Sequence, residues 1–231
     1  MNKKICVGIP HTGLFNWQTT ISLLSLYCPK GYDVLYHMVG SCLVYDARDK
    51  IVKYARANEC EYIVMIDSDM VVPKDMLLKF VYVLENDKDI DLITGTIHKR
   101  TPPFQPCWYT KLEYDLKEKK PILESPVEFP DKGIMPIAGT GMAGCVMRTS
   151  IFDKIDSKSK HESYFYPLPN LGEDLTFCLL ARKTGSKMVC DLSIDIGHVA
   201  SFPIGKEHFR ACYDEHKKTE ESEPLFTEVE Q

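Results

Sequence analysis

Three short stretches of this chain carry residue types that can do chemistry together. Asp67-Ser68-Asp69 follows directly on Tyr62-Ile63-Val64-Met65-Ile66, a continuous run of strand-forming residues. Two carboxylates two positions apart at a strand's end can reach one cation if the backbone turns between them. Hard divalent ions prefer such oxygens and readily share coordination with phosphate. The plainer alternative is that Asp67 or Asp69 caps the next helix. Pro73 sets that helix start several residues later, which weakens the capping role for Asp67. Gly172-Glu173-Asp174 puts two acids at the opening of a helix, where the simplest role is to complement the helix dipole. Ile196-Gly197-His198 ends a short strand with an imidazole that, when neutral, suits several transition metals. A lone histidine is more often a structural residue.

These stretches need a frame, and the hydrophobic pattern supplies one. Lys4–Pro10, Tyr32–Val39, Tyr62–Ile66 and Ile90–Ile97 read as strands. Between them, helical spacing of apolar residues runs from about Asn16 to Cys28, from Tyr45 to Asn58, and through Leu77, Val81 and Leu84. Unbroken apolarity in Tyr62–Ile66 suits a strand covered on both faces of a parallel sheet. In such sheets ligands bind outside the carboxyl ends of the strands, which is where Asp67 and Asp69 fall. Strand–helix alternation over the first hundred residues predicts an α/β fold with a mostly parallel, Rossmann-like sheet. Residues 101–133 hold most of the prolines and little periodicity, so a long excursion with short strands is expected there. Cys145–Arg148 resumes strand character and Thr149–Ile155 helix. Glu173–Thr184 reads as a helix, and Lys187–Leu192 and Ile196–Phe202 as two late strands.

Gly139-Thr140-Gly141-Met142-Ala143-Gly144 matches the letters of a dinucleotide-binding loop. That motif must join a strand to a helix, whereas these glycines lead into a strand. A loop that lets a substrate approach the backbone fits them better.

The 231 residues, 44% hydrophobic and 26% charged, describe an ordinary globular chain large enough for a full core. The net charge of -5 sits entirely in residues 214–231, which hold seven acids and two lysines. The neutral body offers no nucleic-acid surface. The acidic end reads as a solvated tail. No apolar run approaches a membrane span, and the start lacks a signal-peptide core. Nine cysteines, with none in a C-x-x-C pair, argue against a cysteine zinc site. They point to a reducing, cytoplasmic setting. Cys6, Cys145 and Cys190 lie in apolar runs and read as small core residues.

In this order, IPHTG, LVYDARDKIV, YIVMIDSDM, GTGMAGCVMR, GEDLTFCLLARKTG and DIGHVA resemble a GT-A fold glycosyltransferase, similar to the family 2 type and its small phage and bacterial relatives. The resemblance covers residues 4–202. It implies one domain over 1–213, with a nucleotide-binding half to about residue 100 and a smaller acceptor half after it. It implies that Pro10, His11 and Thr12 contact the nucleotide base, that Arg48 lines the donor pocket, and that Asp67 and Ser68 face the donor. Asp67, Asp69 and His198 would hold Mn2+ or Mg2+. Asp174 would be the general base, with Glu173 and Gly141 on the acceptor side. The donor implied is a nucleotide sugar, UDP-linked by preference, and the acceptor a carbohydrate or other hydroxyl. Two departures stand out. The acidic pair usual after the second strand is replaced by Val39-Gly40-Ser41-Cys42-Leu43, and there is no Q-x-x-R-W, which argues against processive synthesis.

The chemistry suits these residues. A divalent ion offsets charge on a departing diphosphate. A carboxylate takes the proton of the attacking hydroxyl. Attack from the face opposite the leaving group inverts the anomeric centre. Two other functions fit less well. A sugar nucleotidyltransferase would want a glycine-rich basic loop where IPHTGLFNW stands. A binding module without catalysis would have no need of Asp67, Asp69, Asp174 and His198 together. Arg48 has its own plain alternative, a surface arginine paired with Asp46 or Asp49.

Overall fold

The periods read from the sequence are realised in the computed structural model, which describes residues 2–158, 161–201, 205, 206 and 210. Met1–Val199 forms one compact unit and Ala200–Gln231 a second. The acidic tail and the domain end expected at residue 213 lie outside the described residues.

The first half runs β1 (Lys3–Pro10), α1 (Trp17–Leu24), β2 (Tyr32–Val39), α2 (Val44–Ala57), β3 (Tyr62–Ile66), β4 (Met70–Val71), α3 (Met76–Asn86) and β5 (Ile90–Ile97). β2, β3 and β5 have the bounds the pattern predicts. α1 is shorter than expected. The chain turns away at Ser25, and the Tyr27 amide donates to Lys74 O at 2.7 Å instead of continuing the helix. The excursion holds β6 (Trp108–Tyr109), β7 (Lys111–Asp115), β8 (Lys120–Glu124), β9 (Ile134–Ile137) and β10 (Gly139–Thr140). Then come β11 (Gly144–Arg148), α4 (Ser150–Asp156), α5 (Glu173–Lys183) and β12 (Lys187–His198).

The result is a mixed α/β fold around an eight-stranded sheet ordered β2-β1-β3-β11-β5-β12-β4, with β9 also paired to β12. β1, β2, β3, β5 and β12 share one direction, and β4, β9 and β11 oppose them. The sheet is therefore mostly parallel, as expected. Its order was not readable from local sequence, because β11 enters antiparallel between β3 and β5 from fifty residues downstream. The two late strands expected are one strand in the structure. β12 slips register between Asp191 and Asp195 and then carries on to His198.

Alternation along the strands builds two core layers. Cys6, Ile63 and Met65 pack with Ala47, Ile51 and Ala55 of α2 and with Phe152 and Phe177 of α4 and α5. Ile5, Val7, Tyr62, Val64 and Ile66 face the other way, onto Leu77, Phe80 and Leu84 of α3. All five residues of β3 are fully buried. At roughly 1.5–3 kcal/mol for each large apolar side chain, this fixes the strand that ends at Asp67. Cys6, Cys145 and Cys190 are core residues, as expected.

The register slip in β12 depends on Gly95. A Cβ at that position would lie 2.4 Å from Ile194 O, a backbone atom that cannot rotate aside. Gly95→Ala is expected to destabilise the fold by roughly 1–3 kcal/mol. The measurement is the urea midpoint, which should fall at constant m-value. A wild-type midpoint would contradict the packing of β12 on β5.

Candidate active site

The carboxyl ends of β1, β2 and β3 open into a cleft of about 330 Å³ lined by Pro10, His11, Thr12, Asp67, Ser68 and Asp69, with Cys42, Val44, Ala47 and Arg100 completing it. This is where a parallel sheet leaves room for a ligand, because its loops diverge there. Of the residues expected to meet a donor, only Arg48 is absent from the lining.

A tight turn shapes the floor. Met70 N donates to Asp67 O at 3.1 Å, so the chain reverses within Asp67-Ser68-Asp69-Met70. β4 then pairs with the end of β12, Gly197 opposite Val71 and His198 opposite Met70. Val199 N donates to Asp69 O at 2.8 Å. This short ladder brings His198 to Asp69 from 129 positions away in sequence. The helix-capping alternative for Asp67 and Asp69 is overturned, since α3 starts at Met76 after Asp75.

The three acids and bases expected to share a metal do not converge equally. His198 Nε2 lies 3.5 Å from Asp69 Oδ2. Asp67 instead takes Arg48 Nη2 on both oxygens, at 3.2 and 3.3 Å. Among the described residues no group of three or more His, Cys, Asp or Glu side chains is disposed to hold a metal. Two donors nevertheless fit a divalent ion. His198 Nδ1 sits 2.9 Å from His98 O, and a carbonyl only accepts, so Nδ1 carries a proton and Nε2 is the nitrogen turned to Asp69. Metal-binding histidines are oriented this way by a carbonyl on the far nitrogen. The hydrogen bond between His198 and Asp69 raises the imidazole pKa and lowers that of the carboxyl. A cation on Nε2 would replace the proton there.

Arg48 sits beneath the cleft. It is 3% exposed, which overturns the surface alternative. Asp49 is engaged elsewhere, accepting from the Tyr164 amide at 2.9 Å and from Ser163 Oγ. Besides Asp67, Arg48 meets Glu173 Oε1 with Nε at 3.3 Å. Burial alone would depress its pKa, but the charges of Asp67, Asp174 and Glu173 outweigh it and the guanidinium is held charged. It joins the end of β3 to the start of α5.

Asp174 lies near enough to this arginine to feel its charge. Its Oδ1 accepts from Leu175 N at 2.7 Å. Gly172 has no side chain because a Cβ would come within 2.7 Å of that same oxygen. The other oxygen lies near Gly141, where an ideal Cβ would sit 3.5 Å away, in ordinary contact. Desolvation pushes the Asp174 pKa up to about 6, with Glu173 and Asp67 adding to the rise and Arg48 opposing it. The glycine run itself joins β10 to β11 and reaches no helix, as expected for a chain without a dinucleotide loop.

Arg100 is the functional candidate that sequence reasoning missed. Its Nη1 donates to Asp69 Oδ2 at 3.0 Å, and it lines the cleft. The signal was a basic pair, Lys99-Arg100, just past the carboxyl end of the buried strand β5.

No protein-family model matches the chain, and no curated protein matches it. Among solved structures it is similar to A197 from STIV, at 14% identity over 86% of each chain, with a TM-score of 0.60. It is also similar to S. aureus TarS 1-349, solved in complex with UDP-GlcNAc, at 14% identity and a TM-score of 0.54. That match covers 89% of this chain and 60% of TarS 1-349. The chain shares its fold with a protein that binds a nucleotide sugar. Among the described residues no helix is long and apolar enough to cross a membrane.

Removing Arg48 would strand Asp67, Glu173 and Asp174 without their cation. Arg48→Met is expected to cost about 3–5 kcal/mol, the usual scale for breaking a buried pair. Asp174, whose raised pKa Arg48 opposes, would rise further, so the fold would bind more protons than the unfolded chain. Stability lost in this way grows as pH rises. The Tm deficit of Arg48→Met should therefore be larger at pH 8 than at pH 5; an equal deficit at both would argue against the charge cluster.

Proposed function

We propose that this chain is a GT-A glycosyltransferase that moves a sugar from a nucleotide diphosphate donor to an acceptor hydroxyl with inversion. The observation that carries this is the pairing of buried Arg48 with both Asp67, which lines a cleft built of diverging strand ends, and Glu173, next to which stands Asp174, a carboxylate with a raised pKa. The shared fold with TarS, whose structure holds UDP-GlcNAc, supports a nucleotide sugar in that cleft.

The residues take distinct parts. His11 Nδ1 accepts the Gly13 amide at 3.0 Å, which leaves its other face to the cleft beside Pro10 and Thr12 for the base. Ser68 and Asp67 face the ribose and phosphates. Asp69 and His198 would hold Mn2+ or Mg2+, which when bound supplies positive charge at the diphosphate. Arg48 positions Asp67 and Glu173 without reaching the donor. Glu173 and Gly141 orient the acceptor. Asp174 takes the hydroxyl proton as the acceptor oxygen bonds to the anomeric carbon. The bond from that carbon to the diphosphate breaks, and its electron pair leaves on the phosphate oxygen.

A base works in its deprotonated form, so the pH–rate profile should lose activity below an apparent pKa of about 6. Asp174→Asn should lower kcat by roughly 10²–10⁴-fold. Its effect on stability has the opposite sign to that of a lost cap. The carboxyl binds its proton more tightly folded than unfolded, so ionising it above pH 6 burdens the fold, and the amide removes that burden. The Tm at pH 7.5 should stay level or rise. A product with the donor's anomeric configuration, or a fast Asp174→Asn variant, would overturn the inverting mechanism.

Metal use is tested separately. Asp69→Ala and EDTA should each abolish transfer while leaving the fold intact, and added Mn2+ should restore only the chelated wild type. Full activity in EDTA would remove the metal from the proposal.

A further inference from the structure

We propose that Arg100 is the cation that receives the donor's diphosphate, and that in the free protein it rests on Asp69. This depends on the nucleotide-sugar reading above.

Each acid of Asp67-Ser68-Asp69 already has its own arginine, and the two arginines differ in kind. The Arg48 side chain is 4% exposed and locked between Asp67 and Glu173. The Arg100 side chain is 56% exposed and holds Asp69 through one nitrogen at 3.0 Å. A half-exposed ion pair of this sort is weak and exchanges readily. Its guanidinium is a planar fork of five donors, of which only one is engaged among the described residues, and such a fork matches phosphate oxygens in pairs. The backbone allows the side chain to be redirected. Lys99 N donates to Gln105 O at 2.9 Å and His98 bridges to Pro106, so the loop is tied at its base. Residues 99–105 above that base are all exposed.

The same oxygen decides the competition. Arg100 and His198 both address Asp69 Oδ2, at 3.0 and 3.5 Å. That is the oxygen Asp69 would present to a divalent ion, so Arg100 and the ion exclude one another while the cleft is empty. A diphosphate entering beside Ser68 offers Arg100 a stronger anion and vacates Asp69. Arg100 thus stabilises the negative charge that develops on the leaving oxygen, and its departure opens Asp69 to the metal only when donor is present.

The test titrates UDP, GDP, CDP and dTDP, and their nucleosides, against wild type, Arg100→Ala and Arg100→Lys by calorimetry with Mg2+ present. Because the side chain is exposed, both variants should fold, which their Tm would check. For the diphosphate that wild type binds, Arg100→Ala should lose roughly 10–100-fold in affinity. Arg100→Lys should recover part of this, and nucleoside affinity should not move. Without nucleotide, Mn2+ titrated by electron paramagnetic resonance should bind Arg100→Ala more tightly than wild type. Unchanged diphosphate affinity in Arg100→Ala overturns the role at the leaving group. Unchanged or weaker Mn2+ binding overturns the resting contact on Asp69. A wild type that binds none of the four diphosphates defeats the nucleotide-sugar reading itself and this role with it.

Discussion

A buried cation organises this molecule. Arg48 enters the interior at the start of α2, where a guanidinium cannot stay without compensation. Its partners come from the end of β3 and from the first turn of α5, so the charge can be satisfied only when the two halves of the unit are assembled. Removing either partner leaves an uncompensated charge in a low-dielectric place, which is why the arrangement is all-or-none. The same cation opposes the burial that raises Asp174, keeping its pKa at about 6 rather than higher. One side chain therefore holds the floor of the cleft in place and leaves a carboxylate able to ionise near neutral pH.

The second constraint is backbone pairing. β4 has only two residues, yet it is what turns two distant motifs into one place. By binding Gly197 and His198 it aims the imidazole at Asp69, and the His98 carbonyl then fixes which nitrogen points there. His98 and Arg100 follow the same strand, β5. The carboxyl ends of β3, β5 and β12 thus supply an acid, an arginine and a histidine within one turn of each other. Gly95 permits the slip in β12 that delivers the last of these. Tightness in the sheet is converted directly into geometry at the cleft.

Much of this was legible in the residues. Unbroken apolarity placed β3 and β5 to the residue, because those strands are buried on both faces and have few alternatives, and the edge strand β2 was read with the same bounds. Asp67 and Asp69 at a strand's end, and Glu173 and Asp174 at a helix start, were readable for the same reason. What sequence could not show is pairing between distant segments. Nothing local says that β11 inserts between β3 and β5, that two late strands are one, or that Arg48 turns inward to acids 19 and 125 positions away. Asp67 was expected among the metal donors, but the strength of its pairing with a buried arginine follows from burial, and burial appears only in three dimensions. Arg100 escaped notice because it lies in an irregular, proline-rich stretch with no period to mark it.

The two arginines divide a task that one could not perform. A cation that sits between Asp67 and Glu173 at 4% exposure cannot be withdrawn to meet a ligand without stranding both carboxylates. A cation at 56% exposure can leave its partner at little cost, because water takes over part of its solvation. Structural neutralisation requires the first kind and ligand capture the second. Placing them on adjacent acids, two residues apart, lets a single turn be rigid at Asp67 and responsive at Asp69. This asymmetry gives the D-x-D spacing a physical meaning here, since both acids line the cleft but one is paired with a buried arginine and the other with an exposed one.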